Sequence, residues 1–486
     1  MENKKFHLFD TAGEQTGLPV SRKIILSFVI PVILYFALSL LPLSAYGENC
    51  AKGLGFVVAI IVFMIMSPLD PAVGGILLIT IGPLLGLCSW DEVKAACGAS
   101  SFYPMLGMTI VALGAEFTPF GRRVAYWFLY QFGQKPVAML IAIGCAAAVL
   151  SAFVSNTAII ILLSAIVNTM LLTMGEKPGE SRFGKAAMLL VLMGAEYGGM
   201  ALINGSPGSN NLCIGTMIAA APEYELGISY GEWARIGFPL FVITIVPMCL
   251  IYIWYFKIRN KNFQMLPKSY YKEQMVQLGH ISGAELRWII ITLAMIVAML
   301  LGMNNNLAAM LFAGISLLPL IGVSPFKDCM KKIPWAVLLG ICMLPVVGTI
   351  LTGTGVSDWI QAVVTPLLSG LSPLGLSIAL AVVMFLLTNI LVNAFVGVWV
   401  FMVSLGTVLS ISMGYNPVVV VFPSMLTGAM MWCMGANAIS LLNKGYDWWD
   451  MKDPIIPGFV SGLFASVVLP LLSYALNLLY GTALYI

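Results

Sequence analysis

The sequence predicts an all-α polytopic membrane protein, and three observations predict it. Of its 486 residues 60% are hydrophobic and 9% charged, whereas a soluble chain is about 25% charged and 45–50% apolar. The apolar residues fall in runs long enough to enter or cross a bilayer, which takes about 20 residues for a full span, and mean hydropathy is +0.97. The polar segments between the runs carry the lysines and arginines, and one threading of the chain puts nearly all of them on the same side. The expected architecture is about 11 transmembrane helices plus two re-entrant hairpins in an inverted repeat, with two interrupted helices.

Residues 1–23 form a polar segment with Lys4, Lys5, Arg22 and Lys23, expected in the cytoplasm. Residues 24–53 hold the first transmembrane helix and a loop. Its apolar stretch, Ile24 to Leu43, is longer than the roughly 7–15 apolar residues of a cleavable signal. The first repeat is expected over 54–256. It contains apolar runs at Leu54–Ser67, Ala72–Leu87 and Tyr103–Pro119, a hairpin at 136–173, an interrupted helix at 186–221 and a helix from Trp233 to Phe256. Residues 257–287 are a cytoplasmic linker. The second repeat, 288–486, follows the same order: runs at Trp288–Met303, Leu307–Gly322 and Trp335–Leu351, a hairpin at 373–413, an interrupted helix at 418–445 and a last span at Ile455–Leu479.

The first hairpin is read from its tip, Leu150-Ser151-Ala152-Phe153-Val154-Ser155-Asn156-Thr157-Ala158. Ser, Asn and Thr at bilayer depth need partners, because lipid cannot hydrate them. Asn also favours caps and turns over helix interiors. Two half-length helices meeting at this tip satisfy both conditions; one long helix with back-bonded hydroxyls is the alternative. Charge placement favours the hairpin. With the N-terminus inside and both hairpins re-entrant, all 24 Lys and Arg except Lys52, Lys94 and Arg235 lie on the cytoplasmic side. Counting the hairpins as spans destroys that agreement. The second interruption is Asn204-Gly205-Ser206-Pro207-Gly208-Ser209-Asn210-Asn211, a cluster of helix breakers between two short apolar halves. An unwound membrane helix is tolerated where it lines a cavity.

Two constellations carry chemistry. Ser151, Ser155, Asn156 and Thr157 with the break 204–211 combine hydroxyls, an amide and freed carbonyls, donors suited to a desolvated Na⁺. Helix N-termini and hydroxyls in the same place suit a carboxylate or sulfate. Thr388, Asn389, Asn393 and Asn437 form the second, with fewer hydroxyls. Glu196, inside Met193-Gly194-Ala195-Glu196-Tyr197-Gly198-Gly199, is an intramembrane carboxylate and hence a candidate proton or cation site; pairing with Lys185 is the alternative. Glu116, Asp70 and Asp358 read as interfacial and structural. Enzyme chemistry is not expected: both histidines, His7 and His280, lie in polar segments, and no nucleophile with a base, buried aspartate pair or zinc spacing is present. The nine cysteines include no CxxC. The function classes that remain are a secondary anion transporter, sodium-coupled or a sodium-independent exchanger, with proton coupling as a variant.

Leu150-Ser151 followed by Ser155-Asn156-Thr157-Ala158, together with Gly198-Gly199 and the later Gly205-Ser206-Pro207, resembles the divalent anion/sodium symporter family of the ion transporter superfamily, which includes dicarboxylate, citrate and sulfate carriers. Gly121-Arg122-Arg123-Val124-Ala125 and Tyr446-Asp447-Trp448 are similar too. The resemblance implies a homodimer in the plasma or inner membrane, N-terminus cytoplasmic, whose protomers move a transport domain like an elevator. It implies Na⁺ as coupling ion, a small anion as substrate and no nucleic acid. It also implies a first sodium site of Ser151, Ser155, Asn156 and the Gly205 carbonyl, and substrate contacts at Asn156, Thr157, Ser206, Pro207, Asn393 and Asn437. Thr388, Asn393 and the carbonyl near Cys433 would make a second sodium site. There the signature is degenerate: the family's second Ser-Asn-Thr reads Val392-Asn393-Ala394, and its Thr-Pro-Pro-Asn reads Met434-Gly435-Ala436-Asn437. A smaller anion, one with an apolar end or a different cation count would fit this change.

Overall fold

The computed structural model describes residues 22–67, 71–98, 102–221, 224, 226–259, 263–368, 370–391, 395–428 and 438–486. Helices dominate them, and the described residues hold no β-strand, only a bridge between Tyr415 and Tyr485. The first part of the chain contains α1 (Arg22–Ser39), α2 (Cys50–Met66), α3 (Pro71–Leu84), α4 (Trp90–Gly98), α5 (Phe102–Leu113) and α6 (Phe120–Phe132), with a 3₁₀ turn at Gly114–Phe117. Then come α7 (Pro136–Ser151), α8 (Asn156–Thr173), α9 (Arg182–Gly198), α10 (Pro207–Ala220), α11 (Tyr230–Tyr255) and the linker helix α12 (Lys268–Gln277). The second part contains α13 (Gly283–Leu300), α14 (Asn305–Leu317), α15 (Phe326–Lys332), α16 (Trp335–Met343), α17 (Val346–Gly353) and α18 (Val356–Leu368). It ends with α19 (Pro373–Ile390), α20 (Phe395–Ser412), α21 (Pro417–Gly428), α22 (Ala438–Lys444) and α23 (Ile455–Leu479).

Six helices are long and apolar enough to cross a membrane, among them α8, α11, α13, α19 and α23. Their outer faces carry exposed large apolar side chains, such as Val242, Ile243, Leu250 and Trp254 on α11 and Ile290, Leu293, Val297 and Leu300 on α13. Contiguous apolar exposure of that extent marks a surface meant for lipid. α7 has 16 residues, which at 1.5 Å per residue is about 24 Å, short of a hydrocarbon core of about 30 Å. Local chemistry sets the ends. Pro136 and Pro373 stand at the first turn of α7 and α19, where a missing N–H costs nothing. Ser229 with Glu232, and Ser282 with Glu285, close capping boxes on α11 and α13.

The order of elements repeats. A helix pair (α7–α8), a broken helix (α9–α10) and a long final helix (α11) are matched by α19–α20, α21 and α22 on either side of 429–437, and α23. α11 and α23 pack on each other. At the centre lies α9, buried from Ala186 to Gly198. It is the helix with the closest approach to α7: a methyl group on Gly198 would stand 2.1 Å from the Ala148 carbonyl oxygen. Only a residue without a side chain permits that backbone contact.

Beyond the short helices α4, α6, α12 and α15, which fall outside the apolar runs read from the sequence, three details differ. The break between α9 and α10 spans 199–206, not 204–211, because Pro207 opens α10 as its first helical residue. The run Trp335–Leu351 is two helices, α16 and α17, parted at Leu344-Pro345. Val356–Leu368, not recognised as an element, is helical, with Asp358 in its first turn.

Candidate functional site

α7 ends where Phe153 and Val154 both donate to the Leu150 carbonyl, at 3.1 and 2.9 Å. The chain turns and Ser155 caps α8, its hydroxyl accepting from the Ala158 amide at 3.3 Å. Asn156 and Thr157 thereby become the first two residues of α8. Ser151, fully buried at the end of α7, donates its hydroxyl to Asn156 Oδ1 at 2.7 Å. Asn156 Nδ2 in turn donates to Glu196 Oε2 at 3.3 Å. Ser151, Asn156 and Glu196 thus form one polar string inside the apolar core.

The break is braced by side-chain amides that stand in for lost helical bonds. Asn204 Nδ2 donates to the Ala152 carbonyl at 3.2 Å, and the Tyr230 hydroxyl donates to Asn204 Oδ1 at 2.6 Å. Asn210 Nδ2 reaches the carbonyls of Gly199, Leu202 and Ile203 at 3.0–3.2 Å. Trp233 Nε1 donates to the Met200 carbonyl at 3.0 Å. Asn204, Asn210 and Asn211 therefore hold the backbone; Asn211 Nδ2 donates to the Pro207 carbonyl of its own helix at 2.7 Å. A methyl on Gly199 would lie 2.3 Å from Asn156 Oδ1, and one on Gly205 would lie 2.8 Å from the carbonyl oxygens of Ser151 and Gly199. These two glycines let the break close on the hairpin tip.

Between tip and break lies a cavity of about 430 Å³. Ser155, Asn156, Thr157, Glu196, Gly205, Ser206 and Pro207 line it, together with Gly208 and Ser209 from the first turn of α10. Of the first-half residues expected from the sequence, Ser155, Asn156, Thr157, Glu196, Gly205, Ser206 and Pro207 line this cavity; Ser151 touches it through Asn156, and Asn204, Asn210 and Asn211 of the break do not line it. Apart from Thr109 and the charged pair at the edge, the remaining wall is apolar, with Met105, Leu113, Ile161, Met200 and Trp399. Trp399 comes from the second hairpin, and no sequence signal marked it. At the exposed edge Lys332 pairs with Glu116 at 2.8 Å, over the ring of Phe117; charged residues at run ends were the only sequence hint of that pair. The alternative for Glu196 is overturned, because Lys185 pairs with Asp453 at 2.9 Å.

In the second constellation the Thr388 hydroxyl donates to the Met384 and Phe385 carbonyls at 2.8 and 3.1 Å, and Asn389 Nδ2 donates to the Phe385 carbonyl at 2.9 Å. Asn393, Cys433 and Asn437, like Asp70, lie outside the described residues. The Tyr446-Asp447-Trp448 segment anchors α22 to the first hairpin. Trp448 Nε1 donates to Asn168 Oδ1 at 2.8 Å, and Asn443 Nδ2 donates to Ser164 Oγ at 2.6 Å and to the Met188 carbonyl at 3.2 Å.

Comparison with known proteins bears on the family and the fold. The sodium-dependent dicarboxylate transporter SdcS of Staphylococcus saprophyticus is 23% identical over 91% of this chain and 86% of its own length. The Na(+)/citrate cotransporter of Mus musculus is 24% identical over 46% of this chain and 45% of its own. The putative malate transporter YflS of Bacillus subtilis is 22% identical over 65% and 66%. Two solved structures share the fold: Neisseria gonorrhoeae MtrF, described as illuminating a class of antimetabolite efflux pumps, with TM-score 0.58, 12% identity and coverage of 94% of this chain and 96% of that one; and the Alcanivorax borkumensis YdaH transporter, with TM-score 0.54, 11% identity and coverage of 86% and 100%. The citrate transporter family matches residues 61–426. This chain belongs to that family, and it is a multi-pass membrane transporter, not an enzyme.

Proposed function

We propose that the chain is a secondary active transporter of small carboxylates, di- or otherwise, coupled to sodium in symport and working as a homodimer with elevator-like domain movement. One observation carries this reading: two helix N-termini, those of α8 and α10, line the same cavity. A helix N-terminus carries the equivalent of roughly half a positive charge. Its first-turn amides lack acceptors within the helix, here those of Asn156 and Thr157 on one side and Gly208 and Ser209 on the other. A carboxylate meeting both ends, with the hydroxyls of Thr157 and Ser206, needs no buried lysine or arginine. The apolar wall of Met105, Leu113, Ile161 and Trp399 suits the carbon skeleton.

The donor set around the hairpin tip fits a hard monovalent cation: the Ser151 hydroxyl, Asn156 Oδ1, Ser155 and the backbone oxygens near Gly205. Sodium as co-transported cargo supplies positive charge beside the anion. Asn393 and Asn437 complete the substrate contacts in the second half by resemblance, and Thr388 with Asn393 and Cys433 would form the second cation site. The sodium-dependent dicarboxylate transporter, the Na(+)/citrate cotransporter and the putative malate transporter among the relatives support the same substrate class. The repeated element order supports an inverted repeat with re-entrant hairpins. The bonds of Asn443 and Trp448 to the first hairpin support a transport unit that moves as one piece. Lys332 and Glu116 edge the cavity on the lysine-rich side, so with a cytoplasmic N-terminus the cavity opens inward.

The test is uptake into proteoliposomes. Citrate, succinate or malate should accumulate against its gradient when sodium is high outside, and not when potassium replaces it. Trans-stimulated flux without net accumulation, indifferent to sodium, would instead establish the exchanger.

A further inference from the structure

Glu196 is the buried charge that the carboxylate reading leaves unused. It sits on α9, which is buried from Ala186 to Gly198, and is only 4% exposed. One carboxylate oxygen, Oε2, accepts from Asn156 Nδ2 at 3.3 Å; the other, Oε1, is buried without a hydrogen-bond partner. The cations that could neutralise it are engaged elsewhere: Lys185 with Asp453 and Lys332 with Glu116. An ionised carboxylate at this depth is costly unless it is paired, takes up a proton or holds an ion. The oxygen-rich surroundings needed for an ion are present one bond away, in Asn156 Oδ1 and the Ser151 hydroxyl.

We propose that Glu196 is a direct ligand of the coupling cation, giving the first-half site a fixed negative charge of its own. The inference rests on the sodium-coupled reading above and deepens it. Two consequences follow. The cation binds to this site without any carboxylate present, because its charge is met by Glu196 and not by the substrate. The cation also binds first: Glu196 lines the same cavity as Thr157 and Ser206, so a cation-free site repels an incoming anion and a loaded one does not.

The experiment titrates sodium, with choline balancing ionic strength and no carboxylate present, into the detergent-purified full chain and follows thermal stabilisation. A ligand that binds only the folded state raises the melting temperature in a saturable way. The wild type should show a half-saturating sodium concentration. In Glu196→Gln it should rise at least tenfold, about 1.4 kcal/mol of binding, while the melting temperature in choline alone stays the same or increases, since an unpaired buried charge has gone. Glu196→Asp keeps the charge one methylene further back and should bind sodium more tightly than Glu196→Gln. If Glu196→Gln melts early in choline, the aspartate variant decides. Aspartate and glutamine variants of equal sodium affinity, or a glutamine variant equal to wild type, overturn the proposal and leave sodium coupling intact. A wild type that sodium does not stabilise while carboxylates do overturns both readings.

Discussion

Asn204 opens the segment read from the sequence as the break, and its side chain braces that break in a way that can be measured. Its side chain joins the Ala152 carbonyl at the hairpin tip to the Tyr230 hydroxyl at the start of α11. Both partners are enclosed, at 2% and 1% exposure. Asn204→Ala orphans the two groups where water cannot reach them, and each orphaned group costs about 1–3 kcal/mol. Removing an amide that itself required both bonds offsets part of this, leaving about 2–4 kcal/mol. Tyr230→Phe breaks only the second bond and should cost about 1–2 kcal/mol. Because the two variants share that bond, the double variant should lose less than the sum of the singles. Reversible unfolding in mixed SDS micelles supplies the free energies. An Asn204→Ala protein within about 0.5 kcal/mol of wild type, well below the cost of orphaned groups, would show that the break is not held by this bridge.

Other substitutions separate site from scaffold. Asn156→Ala removes the amide that links Ser151 to Glu196 and lines the cavity; it leaves the buried Ser151 hydroxyl without its acceptor, which costs about 1–3 kcal/mol, so the protein should still fold with a lowered unfolding midpoint while transport in proteoliposomes is abolished, and wild-type flux would sink the site assignment. Gly199→Ala drives a methyl into Asn156 Oδ1, 2.3 Å away; overpacking of this kind costs about 1–3 kcal/mol, and sodium affinity should fall at least tenfold in the same titration. Lys332→Gln breaks a partly exposed pair with Glu116 and should change stability by less than about 1 kcal/mol. It leaves a lone carboxylate at the cavity edge, so anion uptake should slow more at low than at high ionic strength; equal slowing at every salt concentration would argue against an electrostatic role.

The parts of this molecule that were legible in the sequence are those where a polar residue interrupts an apolar run. Ser151, Ser155, Asn156 and Thr157 stood out because lipid cannot hydrate them; Ser155, Asn156 and Thr157 line one cavity with Gly205, Ser206 and Pro207, and Ser151 is bonded to Asn156 behind it. The Gly198-Gly199 pair turned out to be needed for close approach to α7 and to Asn156. The start of the break was misjudged because Gly199 to Ile203 is apolar apart from its glycine, and because Pro207 reads as a breaker although it begins a helix. The asparagines of the break read only as helix breakers, since nothing local shows that their amides satisfy backbone carbonyls. Long-range partners were beyond reach for the same reason. Glu196 finds Asn156, Lys185 finds Asp453 and Glu116 finds Lys332 only once the helices pack. The split at Leu344-Pro345 was missed because the apolar run continues across it, and the helix Val356–Leu368 was missed because Ser357, Asp358 and Gln361 interrupt its apolar residues.

The central claim is that the cavity between the hairpin tip and the break binds a carboxylate together with sodium. Thermal stabilisation of the purified protein tests it most directly, using mono-, di- and tricarboxylates, sulfate and phosphate, each in sodium and in potassium. The account predicts a saturable rise in melting temperature with at least one carboxylate in sodium, much smaller in potassium and lost in Asn156→Ala. Stabilisation of the wild type and Asn156→Ala by the same ligand to the same extent, in either salt, would contradict it.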